Sequence, residues 1–313
     1  MYFFIIFLVA AYLLYKSSDL VIKYGLDLSD ALNISTFALG FIFISVATSL
    51  PELSVAFFSG VWNVPGLSVG NVLGSNFTDL TLVLGLAIIF GGTIFLKKKD
   101  ILNLVELLFI SSLVALFIFQ RGELSVLHGI LLLGLFGFLL VKLYKEGHIS
   151  KKVFDDKKSK KKSKYLLFAK FALSIGLLLL SADFVVKSAI EIAHFFSLTS
   201  TLVGATLVAL GTSLPELSVE IKAIKNRQYS LAMGDLFGSC VTNITLVLGV
   251  TSILSPVPIN TESIISLMPF LMAAVVTIWY LLSKEGKITK YEGFILLVLY
   301  LLFIVERFLP SWI

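Results

Sequence analysis

The sequence predicts an all-α, polytopic membrane protein with ten transmembrane helices arranged as two inverted five-helix repeats. Hydrophobic residues make up 58% of the 313 positions, and the mean hydropathy is +0.98. Apolar runs of about 20 residues, the length of helix that crosses a hydrocarbon core of about 30 Å, recur from end to end. Helices are expected because a helix satisfies its own backbone hydrogen bonds in lipid. A third observation is that the second half of the chain repeats the first.

Ten apolar runs are predicted to span the membrane. In chain order they lie at about residues 2–31, 35–62, 66–94, 101–119, 124–146, 165–195, 199–224, 230–254, 261–283 and 289–308. Several runs are longer than the hydrocarbon core requires, so tilted or interrupted helices are expected. Little of the chain remains outside these runs, and no water-soluble domain is expected.

Lysine and arginine are distributed unevenly between the loops. Segment 151–164 contains eight lysines, and further basic residues follow alternate spans, at 97–99, 222–227 and 284–290. The opposite loops contain only Arg121. Because short basic loops stay in the cytoplasm, we predict a cell-membrane protein with a cytoplasmic linker at 148–164 and both termini extracellular. The net charge of +5 belongs to this asymmetry, and no feature indicates nucleic-acid binding.

The chain contains an internal duplication. Segment 40–86 aligns with segment 204–250 without a gap, and 19 of the 47 paired positions are identical; this pairing is called the repeat alignment below. A match held in register over this length predicts a true repeat rather than a shared turn motif. Five spans separate equivalent positions, and an odd number places the two halves in opposite orientations, as in many secondary transporters. The predicted units are 1–147, the linker 148–164, and 165–313.

Each repeat contains a helix break beside a glutamate. The segments "ATSLPELSV" (47–55) and "GTSLPELSV" (211–219) lie within apolar runs, and a proline inside a helix removes a backbone hydrogen bond and kinks or breaks it. Ser49-x-x-Glu52 and Ser213-x-x-Glu216 fit a capping box at the start of a second half-helix. A capping box does not account for carboxylates near the bilayer centre, where each costs at least about 2.5 kcal/mol. We therefore expect Glu52 and Glu216 to bind ions.

A second motif follows each break. The segments "GNVLGSNFTDLTLVLG" (70–85) and "GDLFGSCVTNITLVLG" (234–249) carry a serine and, four residues later, an acid or an amide. The pairs are Ser75 with Asp79 and Ser239 with Asn243, and residues four apart share one helix face. The glycines at 70, 74, 234 and 238 are expected to allow close helix packing.

The candidate ligands are all oxygen atoms. Carboxylate, amide, hydroxyl and carbonyl oxygens are the ligands that hard cations such as Ca²⁺ and Na⁺ prefer, whereas zinc or copper favours histidine or thiolate. The three histidines lie outside the motifs, and the single cysteine, Cys240, excludes an intrachain disulfide and a cysteine-based metal site. No motif typical of an intramembrane enzyme is present, so neither catalytic residues nor a cofactor are expected.

The paired "TSLPE" and "GS…D/N" motifs resemble the α-repeats of the cation/calcium antiporter superfamily, especially prokaryotic and archaeal sodium/calcium exchangers. In topology the resemblance covers nearly the whole chain. It implies that Glu52 and Glu216 hold Ca²⁺ at the centre of a diamond-like cluster of cation sites, and that the first and sixth spans are the moving pair. It further implies that the remaining ligands are side chains or backbone carbonyls of Asp79, Asn243, Thr48, Ser49, Thr212, Ser213, Ser75, Ser239, Ser45 and Ala209.

The chain departs from this pattern in several places. The archaeal exchangers place the amide in the first repeat and the acid in the second, whereas this chain has Asp79 first and Asn243 second. Glu220 lies one turn beyond Glu216, and the nearby lysines favour an interfacial ion pair for it; the role of Asp235 stays open. Asp19 with Lys23, and Asp183 with Lys187, are spaced for ion pairs along one helix.

The resemblance and the residues together predict an antiporter that exchanges Ca²⁺ for Na⁺ by alternating access, with the Na⁺ gradient driving Ca²⁺ extrusion. The alternative within the superfamily is Ca²⁺/H⁺ exchange, in which protons replace Na⁺ on the carboxylates. An ion channel would use similar oxygen ligands, but an inverted duplication around broken helices argues against a continuous pore. The expected partners are Ca²⁺, Na⁺ or H⁺ and the lipid bilayer, and we expect a functional monomer.

Overall fold

The computed structural model describes residues 2–61, 65–96, 109, 113, 123–152, 164–195, 213–255, 257–258 and 261–308. In chain order its helices are α1 (Tyr2–Leu32), α2 (Thr36–Thr48), α3 (Leu50–Val61), α4 (65–91), α5 (Val126–Lys152), α6 (Lys164–Phe195), α7 (Leu214–Lys225), α8 (Tyr229–Leu254), α9 (Thr261–Glu285) and α10 (Lys290–Phe308). Four two-residue strands accompany them: β1 (Ile94–Phe95), β2 (Glu123–Leu124), β3 (Val257–Pro258) and β4 (Lys287–Ile288).

Helices long and apolar enough to cross a membrane dominate the described residues. Five of them qualify singly, namely α1, α4, α5, α6 and α8, and the bent pair of α2 and α3 makes a sixth; α9 contains a shorter apolar stretch. The chain is therefore a helical membrane protein, as predicted. Of the predicted spans, the fourth lies almost wholly outside the described residues, and so do positions 199–212 of the seventh.

The predicted helix break in the first repeat is confirmed at Ser49. There α2 and α3 meet at a bend of 45°, and Ser49 has φ −79° and ψ 8° rather than helical angles. Ser213 has nearly the same conformation, φ −92° and ψ 6°, directly before α7. Pro51 and Pro215 are each the second residue of the helix that follows, where a missing N–H costs little because the first turn has no intrahelical acceptor.

Among the described residues, three π-helical segments interrupt the helices near these breaks. They comprise Gly40–Ile44 in α2, Asp79–Val83 in α4 and Asn243–Val247 in α8. The second and third coincide in the repeat alignment, and each begins at a predicted ligand position. A π-bulge inserts one extra residue per turn and is frequent at functional sites. The amino-acid pattern did not predict these segments.

Two pairs of glycines hold helices of different repeats together. A Cβ at Gly85 of α4 would lie 2.8 Å from the carbonyl oxygen of Gly293 of α10, and a Cβ at Gly129 of α5 would lie 2.8 Å from that of Gly249 of α8. A real Cβ would not be accommodated at that distance, so each glycine permits the close approach. The repeat alignment pairs Gly85 with Gly249 and, extended along the chain at the same offset, Gly129 with Gly293. The repeat alignment therefore maps the contact between Gly85 and Gly293 onto the contact between Gly249 and Gly129.

The pairing of the short strands is symmetric under the same repeat alignment, which maps β1 onto β3 and β2 onto β4. β1 pairs antiparallel with β4, and β2 pairs antiparallel with β3. The sequence did not predict these two-stranded ribbons. Each ribbon joins loops that the distribution of lysine and arginine assigns to one side of the membrane.

The expected packing role of the motif glycines is confirmed in the second repeat. A Cβ at Gly234 would overlap the carbonyl oxygen of Phe37, and a Cβ at Gly238 would lie 2.7 Å from the Ser45 hydroxyl. A Cβ at Gly70 or Gly74, in contrast, would meet no described atom within 4 Å. Small residues therefore bring α8 against α2.

One predicted ion pair forms and another does not. Lys187 donates to Asp183 at 2.7 Å on the exposed face of α6, as expected. Asp19 of α1 instead accepts a hydrogen bond from Lys222 of α7 at 3.0 Å, and Lys23 lies over the ring of Tyr24. The prediction of an Asp19–Lys23 pair was therefore wrong, because a lysine on a neighbouring helix reaches Asp19.

Candidate functional site

The two glutamates of the helix breaks are buried in the centre of the protein. Glu52 and Glu216 lie in the first turns of α3 and α7, and they are 1% and 2% exposed. The charge of Glu216 interacts with those of Glu52, Asp79 and Asp235. Each glutamate also lies at a helix N-terminus, where the helix dipole favours a negative charge. The fold therefore gathers buried carboxylates at the breaks.

The expected capping boxes are absent. Ser213 precedes α7, but its side chain makes no capping hydrogen bond. The hydroxyl oxygens of Ser49 and Ser213 are buried and, among the residues that the structure describes, have no hydrogen-bond partner. The capping-box interpretation was therefore wrong, because the break places these hydroxyls inward rather than over the first turn. A buried hydroxyl without a partner is costly, and both atoms can bind a cation.

The side chains of the second motif reach the same region. Ser75 donates to the Oε1 atom of Glu52 at 3.2 Å, so the motif serine of α4 meets the glutamate of α3. Asp79 is 2% exposed, and its charge interacts with those of Glu52 and Asp235. Ser213 lies close to Asp79 but outside hydrogen-bond geometry. The structure thus brings residues of both repeats together around Asp79.

A cluster of hydroxyls joins α2 to α8. The Thr48 hydroxyl lies 3.3 Å from the carbonyl oxygen of Ser45 and 3.4 Å from the hydroxyl of Ser239. It also donates to Asp235 at 3.3 Å. The Ser45 carbonyl, a predicted ligand, accepts from Ser49 N–H at 3.0 Å as well. These predicted ligands are all buried. They lie between the helix break at Ser49 and α8, the helix that carries the second motif of the second repeat.

Asn76 is a residue of the site that the sequence motifs did not single out. It accepts a hydrogen bond from the amide nitrogen of Asn243 at 3.0 Å, and it donates to the backbone carbonyl of Cys240 at 3.0 Å. These contacts fix the orientation of the Asn243 side-chain amide, whose nitrogen faces Asn76. The amide oxygen of Asn243 has no hydrogen-bond partner in the described part of the chain. Asn76 therefore orients the Asn243 side chain so that its amide oxygen stays available as a ligand.

We expect Asn76→Ala to weaken Ca²⁺ binding about tenfold, as is typical when a residue that orients a metal ligand is lost. The effect should arise through Asn243. In a double-mutant cycle, Asn76→Ala should then add little to the loss caused by Asn243→Ala. Ca²⁺ binding to the purified variants measures both. Fully additive losses would contradict the positioning role.

The acids of this region do not by themselves form a compact group of metal ligands. Within the described ranges, no three His, Cys, Asp or Glu side chains have the spacing of ligands to one metal ion. Two predicted ligands, Thr212 and Ala209, lie outside the described residues.

Two further acids lie beside this cluster, and the structure corrects the prediction made for one of them. Glu220 and Asp235 are each 0% exposed, so Glu220 is not at an interface. Lys222, its expected partner, pairs with Asp19. No described Lys, Arg or His forms an ion pair with Glu220 or Asp235. The one-turn spacing of Glu220 from Glu216 could have indicated that both share the inner face of α7.

Comparison with known proteins identifies relatives along the whole chain. A family model described as sodium/calcium exchanger protein matches residues 2–145 and 166–309. The membrane protein MJ0091 of Methanocaldococcus jannaschii is 31% identical over 304 residues, which cover 96% of each chain. The sodium/calcium exchanger MaX1 of Methanosarcina acetivorans is 28% identical over an alignment that covers 97% of this chain and 98% of that protein.

Solved structures show the same likeness. A structure of the sodium-calcium exchanger NCX_Mj, soaked with 10 mM Na⁺ and zero Ca²⁺, superposes with a TM-score of 0.80 at 28% identity. The match covers 97% of this chain and 98% of that one. A second NCX_Mj structure, soaked with Na⁺ and Sr²⁺, has a TM-score of 0.79 and covers 98% of each chain.

Proposed function

Because the chain belongs to the sodium/calcium exchanger family, we propose that it is an antiporter that exchanges Ca²⁺ for Na⁺ across a cell membrane. The inward Na⁺ gradient drives Ca²⁺ outward. The family transports cations and is not a family of enzymes. We assign no cofactor, because the ions are substrates.

The observation that carries this proposal is the pair of buried glutamates at symmetric helix breaks. Glu52 and Glu216 are paired in the repeat alignment, and both are buried among carboxylate and hydroxyl oxygens. Ca²⁺ takes six to eight oxygen ligands and favours carboxylates. The proposed ligand set consists of Glu52, Glu216, Asp79, Asn243, Thr48, Ser49, Thr212, Ser213, Ser75, Ser239 and the carbonyls of Ser45 and Ala209. It includes Thr212 and Ala209 from the family resemblance alone.

We further propose that the two halves are inverted repeats that alternate access to this site. The glycine contacts and the strand pairs, each related by the offset of the repeat alignment, support a two-fold relation between the halves. Carboxylates without a cation are costly to move through a closed, dry state. One cation species must therefore replace the other before the site turns, and this requirement couples the two fluxes. Both halves of the site belong to one chain, which is consistent with a monomer.

The proposed orientation has both termini outside and the basic linker inside. It rests on the distribution of lysine and arginine. The ribbons support it, because β1 and β4 flank lysine-rich loops whereas β2 and β3 belong to loops with few basic residues. Labelling of single cysteines, introduced at the linker and near a terminus of a Cys240→Ala background, tests this orientation in intact cells.

Flux in proteoliposomes tests the exchange itself. Vesicles loaded with Na⁺ and diluted into Na⁺-free buffer should accumulate ⁴⁵Ca²⁺, and vesicles loaded with choline should not. An imposed pH gradient should give no comparable uptake. Uptake that follows the pH gradient and ignores Na⁺ would replace the proposal with Ca²⁺/H⁺ exchange. Non-saturable uptake without a counter-ion would indicate a channel.

A further inference from the structure

Glu220 of α7 and Asp235 of α8 form a pair of buried acids outside the proposed ligand set. Both residues are fully buried. Of the charges that act on Glu220, that of Asp235 acts most strongly. α7 continues from Glu220 to Lys222 and Lys225. The pair therefore lies one helical turn from Glu216, toward the end of α7 that carries these two lysines. This direction is called the lysine-bearing side below.

The oxygens of this pair lack the partners that buried carboxylates require. Among the described residues, neither carboxylate oxygen of Glu220 has a hydrogen-bond partner, although the backbone of Leu236 is nearby. The Oδ2 atom of Asp235 likewise has none, and Oδ1 accepts only the long bond of 3.3 Å from Thr48. Buried charges in proteins are paired or bind cations, because an unpaired ion is strongly destabilised away from water.

Among the residues that the structure describes, the neighbouring helices supply no positive charge to this pair. The charged or titratable groups that act on Glu220 are Asp235 and Asp79, both negative, and the Cys240 thiol. On α1, the groups that face α7 are Asp19 and Tyr15, and both contact Lys222. On α6, Lys187 is engaged with Asp183 at an exposed position. In the described part of the chain no side chain balances the charge of Glu220, and a bound cation can.

The internal repeat shows that the fold does not require these acids. The positions in the first repeat that correspond to Glu220 and Asp235 are Ala56 and Asn71. Ala56 is also fully buried, so a small apolar side chain fits the equivalent place. The pair belongs to the second repeat alone and makes the two sides of the central site chemically different.

We propose that Glu220, Asp235 and the Thr48 hydroxyl form a second cation site, for a monovalent cation, beside the Ca²⁺ site. The two carboxylates and the hydroxyl offer five oxygens, fewer than the six to eight that Ca²⁺ takes. Na⁺ fits this chemistry. Thr48 joins the second site to the Ca²⁺ site, since it contacts Asp235 and Ser239 at once. A positive charge there repels Ca²⁺ held by Glu216 and promotes its release away from the lysine-bearing side. This inference rests on the proposed exchange of Ca²⁺.

The test compares Glu220→Gln and Asp235→Asn with a matched control, Asp183→Asn, which removes an exposed acid that is 48% accessible. Rates of ⁴⁵Ca²⁺ exchange, normalised to the maximum of each variant, are measured against Na⁺ at fixed pH. The Na⁺ concentration for half-maximal rate should rise about tenfold in both variants. The control should match the wild type in this titration.

Wild-type titrations in both folded variants would overturn the second site and leave the Ca²⁺ site untouched. Absence of any Ca²⁺ exchange by the wild-type protein would instead contradict the proposed function. If neither variant folds, the wild-type protein saturated with Ca²⁺ provides the test. It should bind ²²Na⁺ in equilibrium dialysis. Absence of this binding would overturn the proposal.

Discussion

Replacing Glu216 by glutamine should abolish Ca²⁺ exchange, and Glu52→Gln should do the same. Each glutamate is buried in the first turn after a helix break, and glutamine keeps the shape while removing the charge. Loss of one partner from a buried charge pair costs about 3–5 kcal/mol, which corresponds to at least about 100-fold in Ca²⁺ affinity. Uptake of ⁴⁵Ca²⁺ into Na⁺-loaded proteoliposomes measures the effect.

Glu292→Gln is the matched control for this experiment. Glu292 accepts a hydrogen bond from the backbone N–H of Thr289 at the start of α10, away from the helix breaks, and a glutamine oxygen can accept the same bond. The control should transport like the wild type. Elution as a single species in size-exclusion chromatography shows that each variant is folded. Substantial exchange by a folded Glu216→Gln or Glu52→Gln protein would refute the assignment of that residue.

The second large effect is expected at Asp79. Asp79→Asn should reduce Na⁺-driven Ca²⁺ exchange by roughly tenfold or more, because cation affinity depends on the number of charged ligands. The double variant Asp79→Asn with Asn243→Asp restores the number of carboxylates and should recover part of the rate. The recovery should be incomplete because the surroundings differ. Asn243 is held by Asn76, whereas Asp79 lies near Cys240, the residue that corresponds to Asn76 in the repeat.

The control for the swap is Asn243→Asp alone, which adds a fourth carboxylate to the set of Glu52, Glu216 and Asp79. If the charge count alone governs exchange, the double variant should lie closer to the wild type than either single variant does. Full activity of Asp79→Asn would show that Asp79 has a structural role. If exchange driven by a pH gradient and independent of Na⁺ disappears in Asp79→Asn, Asp79 carries the proton of a Ca²⁺/H⁺ exchanger.

The class of protein, the duplication and the elements of the central site follow from the amino-acid sequence alone. Proline within an apolar run predicted the break that the structure has at Ser49. The spacing of Ser75 and Asp79 predicted a shared face of α4, and the structure places Ser75 against Glu52 and Asp79 near it. These inferences succeeded because backbone chemistry and helical periodicity act within one element and can be read along the chain.

Which face of each helix meets which neighbour depends on the tertiary structure. The spacing of Asp19 and Lys23 is right for an ion pair, yet Asp19 contacts Lys222, because a side chain on another helix lies within reach. The capping boxes fit Ser49 and Ser213, yet both hydroxyls are directed elsewhere.

The same reason explains why the motifs did not single out Asn76 and left the role of Asp235 open. Both residues contact the other repeat, Asn76 through Asn243 and Asp235 through Thr48. The lysines near Glu220 in sequence predicted a surface pair, whereas the packing of α7 against α8 buries the carboxylate completely. Local spacing gives the direction of a side chain around its own helix axis, and only the arrangement of the other helices determines whether that direction leads to lipid, to an opposite charge or to a cation.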